Sequence, residues 1–163
     1  MKNLDKKILV KVIGIILILI WMTVIFMFSN EKGTVSSGTS RKVTEAIVQT
    51  ISNKSVEENE PIIESLDKVI RKLAHYTIYT VGGILIYNYA NTIDKSIKEK
   101  ILYSIAFGAC YAVTDEIHQF FVSGRSARIF DVGIDTLGVI TGVALYLVII
   151  KIITTIIPKK IQE

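Results

Sequence analysis

Long apolar segments are the feature that most constrains how this chain folds. Residues 8–28 form an apolar run that only Lys11 interrupts. A helix rises about 1.5 Å per residue, so about 20 apolar residues cross a hydrocarbon core roughly 30 Å thick. A secretory signal peptide is the competing interpretation, but its apolar region has only about 7–15 residues and ends at a small-residue cleavage site. We therefore expect an uncleaved membrane anchor.

Three further segments have the length of membrane spans. The chain carries 19 basic and 15 acidic residues, yet half of its residues are apolar and its mean hydropathy is +0.47. Because the charges lie mainly between apolar runs, the sequence predicts one all-α domain over residues 1–163. We expect an integral membrane bundle of four transmembrane helices, with the spans at residues 8–28, 73–91, 101–122 and 132–157.

The segment between the first two spans, residues 29–72, is too long for a tight hairpin. It opens with a polar, glycine-containing stretch, residues 33–40, whose composition is typical of a loop. Apolar residues then recur at helical spacing from Arg41, and again from Pro61 into the second span. Proline suits the first turn of a helix. We predict two amphipathic helices in this segment, lying on the membrane surface or packed on the bundle.

Basic residues predict the orientation of the spans. Lysines precede the first span, join the second to the third and follow the fourth, so four spans put all three groups on one side. The positive-inside rule assigns that side to the cytosol. We therefore expect a multi-pass membrane protein with both termini in the cytoplasm. The net charge of +4 does not form a dense patch with interleaved aromatic residues, which argues against binding of nucleic acid.

Polar residues gather at the outer ends of the last three predicted spans. Residues four apart share a helix face, as Arg71 does with His75 and Asp131 with Asp135. Ionisable groups are costly in lipid when alone, so one mutually paired cluster is the favourable arrangement. The candidate pocket or acid–base residues are His75, Asp115, Glu116 and His118, and the candidate ligand-binding residues are Arg71, Gln119, Arg125, Arg128, Asp131 and Asp135.

Two kinds of chemistry fit this cluster. Arg125 and Arg128, on the turn between the third and fourth spans, can clamp a phosphate or carboxylate. Alternatively, the carboxylates and imidazoles can act as general acid and base or bind a divalent metal, with Asp115 and His118 on one helix face and His75 on a neighbouring helix. The spacing permits a metal without specifying one, so we predict no cofactor. A purely structural salt-bridge network is the third interpretation.

Three stretches of the chain resemble the VanZ-like family of bacterial membrane proteins. Residues 71–79 contain Arg-Lys-x-Ala-His, residues 115–125 contain Asp-Glu-x-His-Gln and Gly-Arg, and residues 131–138 begin the last span. The Phe-Ser step after the first span is similar too, so the resemblance covers nearly the whole chain. The chain departs from the family pattern at Ser123, where proline is frequent, and at Asp135, where asparagine is frequent.

The resemblance implies a role in the cell envelope of a bacterium. The family takes its name from a member associated with resistance to teicoplanin, a lipoglycopeptide antibiotic that targets cell-wall precursors at the outer face of the membrane. We predict a contribution to glycopeptide resistance or cell-envelope homeostasis through an outward-facing polar pocket that recognises an anionic lipid-linked or envelope ligand.

Two alternatives stay open at this point. One is an intramembrane hydrolase or transferase acting on a lipid-linked cell-wall precursor, and the other is a structural or partner-binding membrane protein. The sequence therefore does not decide whether the protein is an enzyme. The expected partners are membrane lipid and an anionic lipid-linked precursor or a glycopeptide, and a homo-oligomer is compatible with the sequence.

Overall fold

The computed structural model describes residues 2–52 and 54–156, without the side chains of residues 2–5. Over this part of the chain the secondary structure is entirely helical, which confirms the all-α prediction. The predicted end of the last span, residue 157, lies outside the described residues. The helices are α1 (Lys2–Ser29), α2 (Gly33–Ile51), α3 (Glu60–Ala90), α4 (Ile97–Phe120) and α5 (Ile129–Ile156).

Two of the helices are long and apolar enough to cross a membrane. They are Lys6–Ser29 of α1 and the whole of α5, and only 22% and 17% of their most apolar windows are buried within the protein. Helices α3 and α4 have 31 and 24 residues, but they carry ionisable side chains such as His75 and Glu116 within the predicted spans. Two apolar helices therefore indicate association with a membrane, whereas a four-span topology is a proposal.

Helix α3 lies at the centre of the fold and contacts each of the other four helices. It packs most extensively on α5, where glycines let the two backbones approach closely. A Cβ atom on Gly138 would lie 2.5 Å from the carbonyl oxygen of Tyr76, and one on Gly142 would overlap the carbonyl oxygen of Thr80. The α3–α5 contact therefore depends on the absence of side chains at these positions.

Helix α1 packs on α3 and α4 through aromatic side chains. The indole N–H of Trp21 donates a hydrogen bond to the Ile78 carbonyl oxygen at 2.9 Å, and the Trp21 ring meets the Tyr79 ring edge to face at 5.6 Å. The hydroxyl of Tyr111 on α4 donates to the carbonyl oxygen of Met22 at 2.6 Å. The first predicted span is thus joined to the rest of the fold by directional bonds as well as by apolar contact.

The prediction of a loop at residues 33–40 is wrong, because α2 already begins at Gly33. The Gly33 N–H donates to the carbonyl oxygen of Ser123 at 3.0 Å, and a Cβ on Gly33 would overlap the Gly124 carbonyl. Gly124 itself has a φ of 77°, which favours glycine. The small residues that suggested a flexible loop therefore allow the start of α2 to pack against the α4–α5 turn.

The remaining helix starts follow local rules. Helix α3 begins at Glu60 with Pro61 in its first turn, as predicted, and continues without a break into the predicted second span. The second amphipathic helix is therefore the first part of α3 and not a separate element. Helix α4 begins with a capping box, in which Ser96 accepts from the Glu99 N–H and Glu99 accepts from the Ser96 N–H.

Candidate functional site

A polar cavity of about 540 Å³ lies where α3, α4, α5 and the α4–α5 turn converge. It lies at the end of the bundle where the polar residues were predicted to gather. Eight of the ten residues predicted for the site line this polar cavity: Arg71, His75, Glu116, Gln119, Arg125, Arg128, Asp131 and Asp135.

The other two predicted residues are positioned differently. Asp115 is only 4% exposed and lies among the helices, where its carboxylate accepts hydrogen bonds from the Ser29 hydroxyl and the Gln119 amide. His118 does not reach the polar cavity, because its ring packs against Phe26 of α1 with centroids 4.6 Å apart. The face of α4 that carries His118 is thus turned towards α1.

Arg125 ties the α4–α5 turn to the end of α1. Its guanidinium donates hydrogen bonds to the carbonyl oxygens of Phe28 at 2.7 Å and Glu31 at 3.2 Å, and to the Gln119 side chain at 3.3 Å. Burial, and then the positive charge of Arg71, lower the pKa of the Arg125 guanidinium below its ordinary value. Arginine nevertheless stays charged in proteins, so a nearby anion would stabilise this group.

Arg128 presents its side chain at the cavity without a carboxylate partner. Its backbone N–H donates to the Glu116 carboxylate at 2.8 Å, which holds the turn against α4. Within the described residues, the guanidinium groups of Arg125 and Arg128 form no ion pair with a carboxylate. These two arginines are therefore the cavity cations that lack a carboxylate within ion-pair distance.

The other cations on the cavity wall are paired. Arg71 donates to the Asp67 carboxylate at 2.9 Å and to the Ser37 hydroxyl at 3.0 Å. The Lys72 ammonium lies 2.9 Å from the Asp131 carboxylate. The charges on this wall are therefore paired, whereas the two arginines of the α4–α5 turn have no ion-pair partner among the described residues.

At the floor of the polar cavity, the His75 imidazole lies 3.6 Å from the Asp135 carboxylate. Asp115 lies beside this pair, and the three side chains could share a metal ion. Asp135, and not His118, therefore joins His75 and Asp115 in the structure. The rotation of α4 about its axis decides this difference, and no spacing within the sequence reveals it.

Several cavity residues were not among those predicted from the sequence. Asp67 could have been found, because it lies one helical turn before Arg71 and pairs with it. Ser37 could not, because it lies in the segment expected to be a loop and reaches the cavity only through the packing of α2. The other additional lining residues are Lys68, Lys72, Gly124, Ser126 and Ile134.

A second, mostly apolar cavity of about 300 Å³ lies between α1, α2 and α3, and we call it the apolar cleft. Arg71, His75 and Arg125 line both the polar cavity and the apolar cleft, so the two spaces adjoin at these side chains. A charged cavity and a cleft whose surface is mostly apolar therefore lie side by side. The apolar lining residues of the cleft are Ile25, Phe28, Val43, Ile70, Ala74 and Ile78.

The fold and the site together define a helical, membrane-associated protein with a polar cavity at one end of its helices. The chain belongs to the VanZ/LLP1 family, whose model matches residues 14–151 and so includes all the cavity residues named above. This result confirms the family that the motifs suggested. No curated protein and no solved structure matches the chain significantly.

Proposed function

We propose that this VanZ/LLP1-family protein spans the cell membrane four times, with both termini in the cytoplasm, and binds the anionic group of a lipid-linked envelope component in its polar cavity. Binding of this component would lower the effect of glycopeptide antibiotics such as teicoplanin. The observation that carries the proposal is that Arg125 and Arg128 line the polar cavity without an ion-pair partner, close to the apolar cleft that Arg125 also lines.

The arginine pair favours a phosphate or carboxylate as the ligand group. A guanidinium presents several N–H donors in a plane and matches two oxygens of such an anion at once. The Arg128 side chain makes no hydrogen bond within the described residues, so its donors are available to a ligand. Arg125 lies on the same turn, two residues after Ser123, whose carbonyl oxygen holds the start of α2.

The apolar cleft favours a ligand that also carries hydrocarbon. The apolar lining resembles the bilayer interior, so an acyl or prenyl chain can move from the bilayer into the cleft without exposure to water. Helix α1, which lines the cleft through Ile25 and Phe28, is a candidate membrane span. A lipid tail could therefore enter the cleft from the bilayer while its head group enters the polar cavity.

Arg128→Ala tests this function most directly, because the substitution removes a side chain with no structural hydrogen bond. We expect a susceptible bacterial host expressing the wild-type protein to tolerate more teicoplanin than the same host with an empty vector. The Arg128→Ala variant should lose this protection. Lys54→Ala, which removes an exposed positive charge outside the cavity, should retain it.

Membrane levels and thermal unfolding of each variant show whether it folds. Equal protection by wild type and Arg128→Ala, at equal expression, would remove the arginine from the mechanism. Native mass spectrometry with a polyprenyl phosphate and with its uncharged alcohol provides a second readout. Preferential binding of the phosphate by wild type, lost in Arg128→Ala, is the expected result.

A second candidate function is hydrolysis or group transfer on a lipid-linked wall precursor. It is favoured by the His75–Asp135 contact at the cavity floor, because a carboxylate can orient an imidazole that acts as a base. Incubation of purified protein with lipid-linked precursors, followed by mass spectrometry of the products, tests this candidate. Turnover that is absent in His75→Gln would support it, and no turnover with or without divalent metals would exclude it.

A further inference from the structure

Three helices each contribute one potential metal ligand to a cluster beside the polar cavity. They are His75 of α3, Asp115 of α4 and Asp135 of α5, and each offers a ligand atom within 4.8 Å of the other two. Ligand atoms that lie about 2.0–2.2 Å from one metal ion are separated by roughly 3–4 Å. Small side-chain rotations would therefore bring these atoms into one coordination shell.

Asp135 provides an independent reason to expect a bound cation. Its side chain is 0% exposed, and neither carboxylate oxygen accepts a hydrogen bond from any residue that the structure describes. Buried carboxylates are normally hydrogen-bonded, paired with a charge or coordinated to a metal. The His75 imidazole, at 3.6 Å, is the nearest partner and supplies at most one positive charge.

Asp115 adds a second buried carboxylate to the same space. The groups that donate hydrogen bonds to it, the Ser29 hydroxyl and the Gln119 amide, are neutral. Across residues 2–52 and 54–156, no lysine or arginine forms an ion pair with Asp115 or Asp135. Two buried carboxylates thus face one imidazole, and a divalent cation would balance the charge.

We infer that His75, Asp115 and Asp135 bind a divalent metal ion beside the polar cavity. One nitrogen and two carboxylate ligands without sulfur suit Zn²⁺ or Mn²⁺, and Zn²⁺ binds more tightly at a given site of this kind. His75 and Asp135 line the cavity, so three protein ligands leave a coordination position open towards it. The site goes beyond the proposed anion recognition, which depends on Arg125 and Arg128, and either can fail without the other.

The two histidines of the chain allow a matched test of this site. Full-length protein without a histidine tag is purified in detergent, stripped with a chelator and dialysed against Zn²⁺ or Mn²⁺. Mass spectrometry of the elements gives the metal content, and competition with a chromophoric chelator gives the Kd. We expect one metal ion per wild-type chain.

Asp135→Asn and His75→Gln should weaken metal binding by more than about 100-fold, since loss of even an outer-shell partner costs about 10–100-fold. His118→Gln should bind as wild type does, because its ring lies against Phe26 and outside the cavity. Metal should also raise the Tm of wild type and of His118→Gln, but not of the other two variants.

No stoichiometric uptake by the wild-type protein would overturn the inference, as would wild-type affinity in Asp135→Asn. Equal losses in His75→Gln and His118→Gln would also overturn it, because they would indicate adventitious histidine binding. If Asp135→Asn does not fold, His75→Gln decides the result, since its side chain is partly exposed and tolerates the change more readily.

Discussion

Removal of the Val139 side chain should destabilise the protein, and a second substitution should restore the lost stability. Val139 of α5 is 0% exposed and packs against Gly108 of α4. Val139→Ala deletes two buried methyl groups, which corresponds to about 1–2 kcal/mol of unfolding free energy. The low end of this range applies if the unfolded helices remain in a detergent micelle, because the methyl groups then stay away from water.

Gly108→Ala alone should also destabilise the protein. Its new Cβ would lie 2.6 and 2.7 Å from the two Val139 methyl carbons, and overpacking of this kind typically costs about 1–3 kcal/mol. Better helix propensity offsets up to about 1 kcal/mol of this loss. In the double variant the methyl group added at position 108 occupies the space that the valine side chain has left, so the double variant should be more stable than either single variant.

The assay is thermal or denaturant unfolding in detergent, followed by the fluorescence of the single tryptophan. Trp21 is only 4% exposed and contacts α3, so its emission reports on the packed bundle. Gly133→Ala is the matched control, since no atom lies within 4 Å of the added Cβ, and it should be neutral or slightly stabilising. Additive losses of stability in the variant that combines Gly108→Ala with Val139→Ala would refute the α4–α5 contact. Substitutions at distant sites have additive effects on stability, whereas substitutions at residues in contact usually do not.

Two further predictions concern the segment between α1 and the central helix. Gly33→Ala should lower the free energy of unfolding by about 1–3 kcal/mol and reduce antibiotic protection, because the added Cβ overlaps the Gly124 carbonyl. Gly38→Ala should change neither property, because no atom lies within 4 Å of its added Cβ. The Arg41 guanidinium donates hydrogen bonds to Glu60 and holds the pKa of that carboxyl below its usual range. The stabilisation from this pair is therefore fully present above the unfolded pKa of about 4.3. It is lost as the pH falls through the lower pKa of the folded state.

A direct measurement tests each of these two predictions. Tm and teicoplanin tolerance are compared for the two glycine variants at equal expression, and equal behaviour would mean that α2 does not pack on the α4–α5 turn. For the ion pair, Tm is followed against pH in wild type and Glu60→Gln. The difference between the two proteins should shrink below about pH 4, and a constant difference down to about pH 2 would contradict the role of the Glu60 charge.

The sequence alone determined that the chain is helical and where most helices lie. Long apolar runs and the proline at position 61 act locally, and local rules place helix ends to within a few residues. The predicted span at 101–122, for example, corresponds to α4 at Ile97–Phe120. The gathering of charged residues at one end of the helices was also predictable, because residues four apart share a face and isolated charges are unfavourable in lipid.

Only the tertiary structure decided which of these residues meet. Gly33 starts a helix because its backbone packs against Gly124, which is distant in the chain, and composition alone favoured a loop there. His118 and Asp115 lie on one helix, yet the packing of α1 directs His118 to Phe26 and leaves Asp115 near His75 and Asp135. Periodicity reveals which residues share a helix face, but the rotation of that face depends on contacts with helices elsewhere in the sequence.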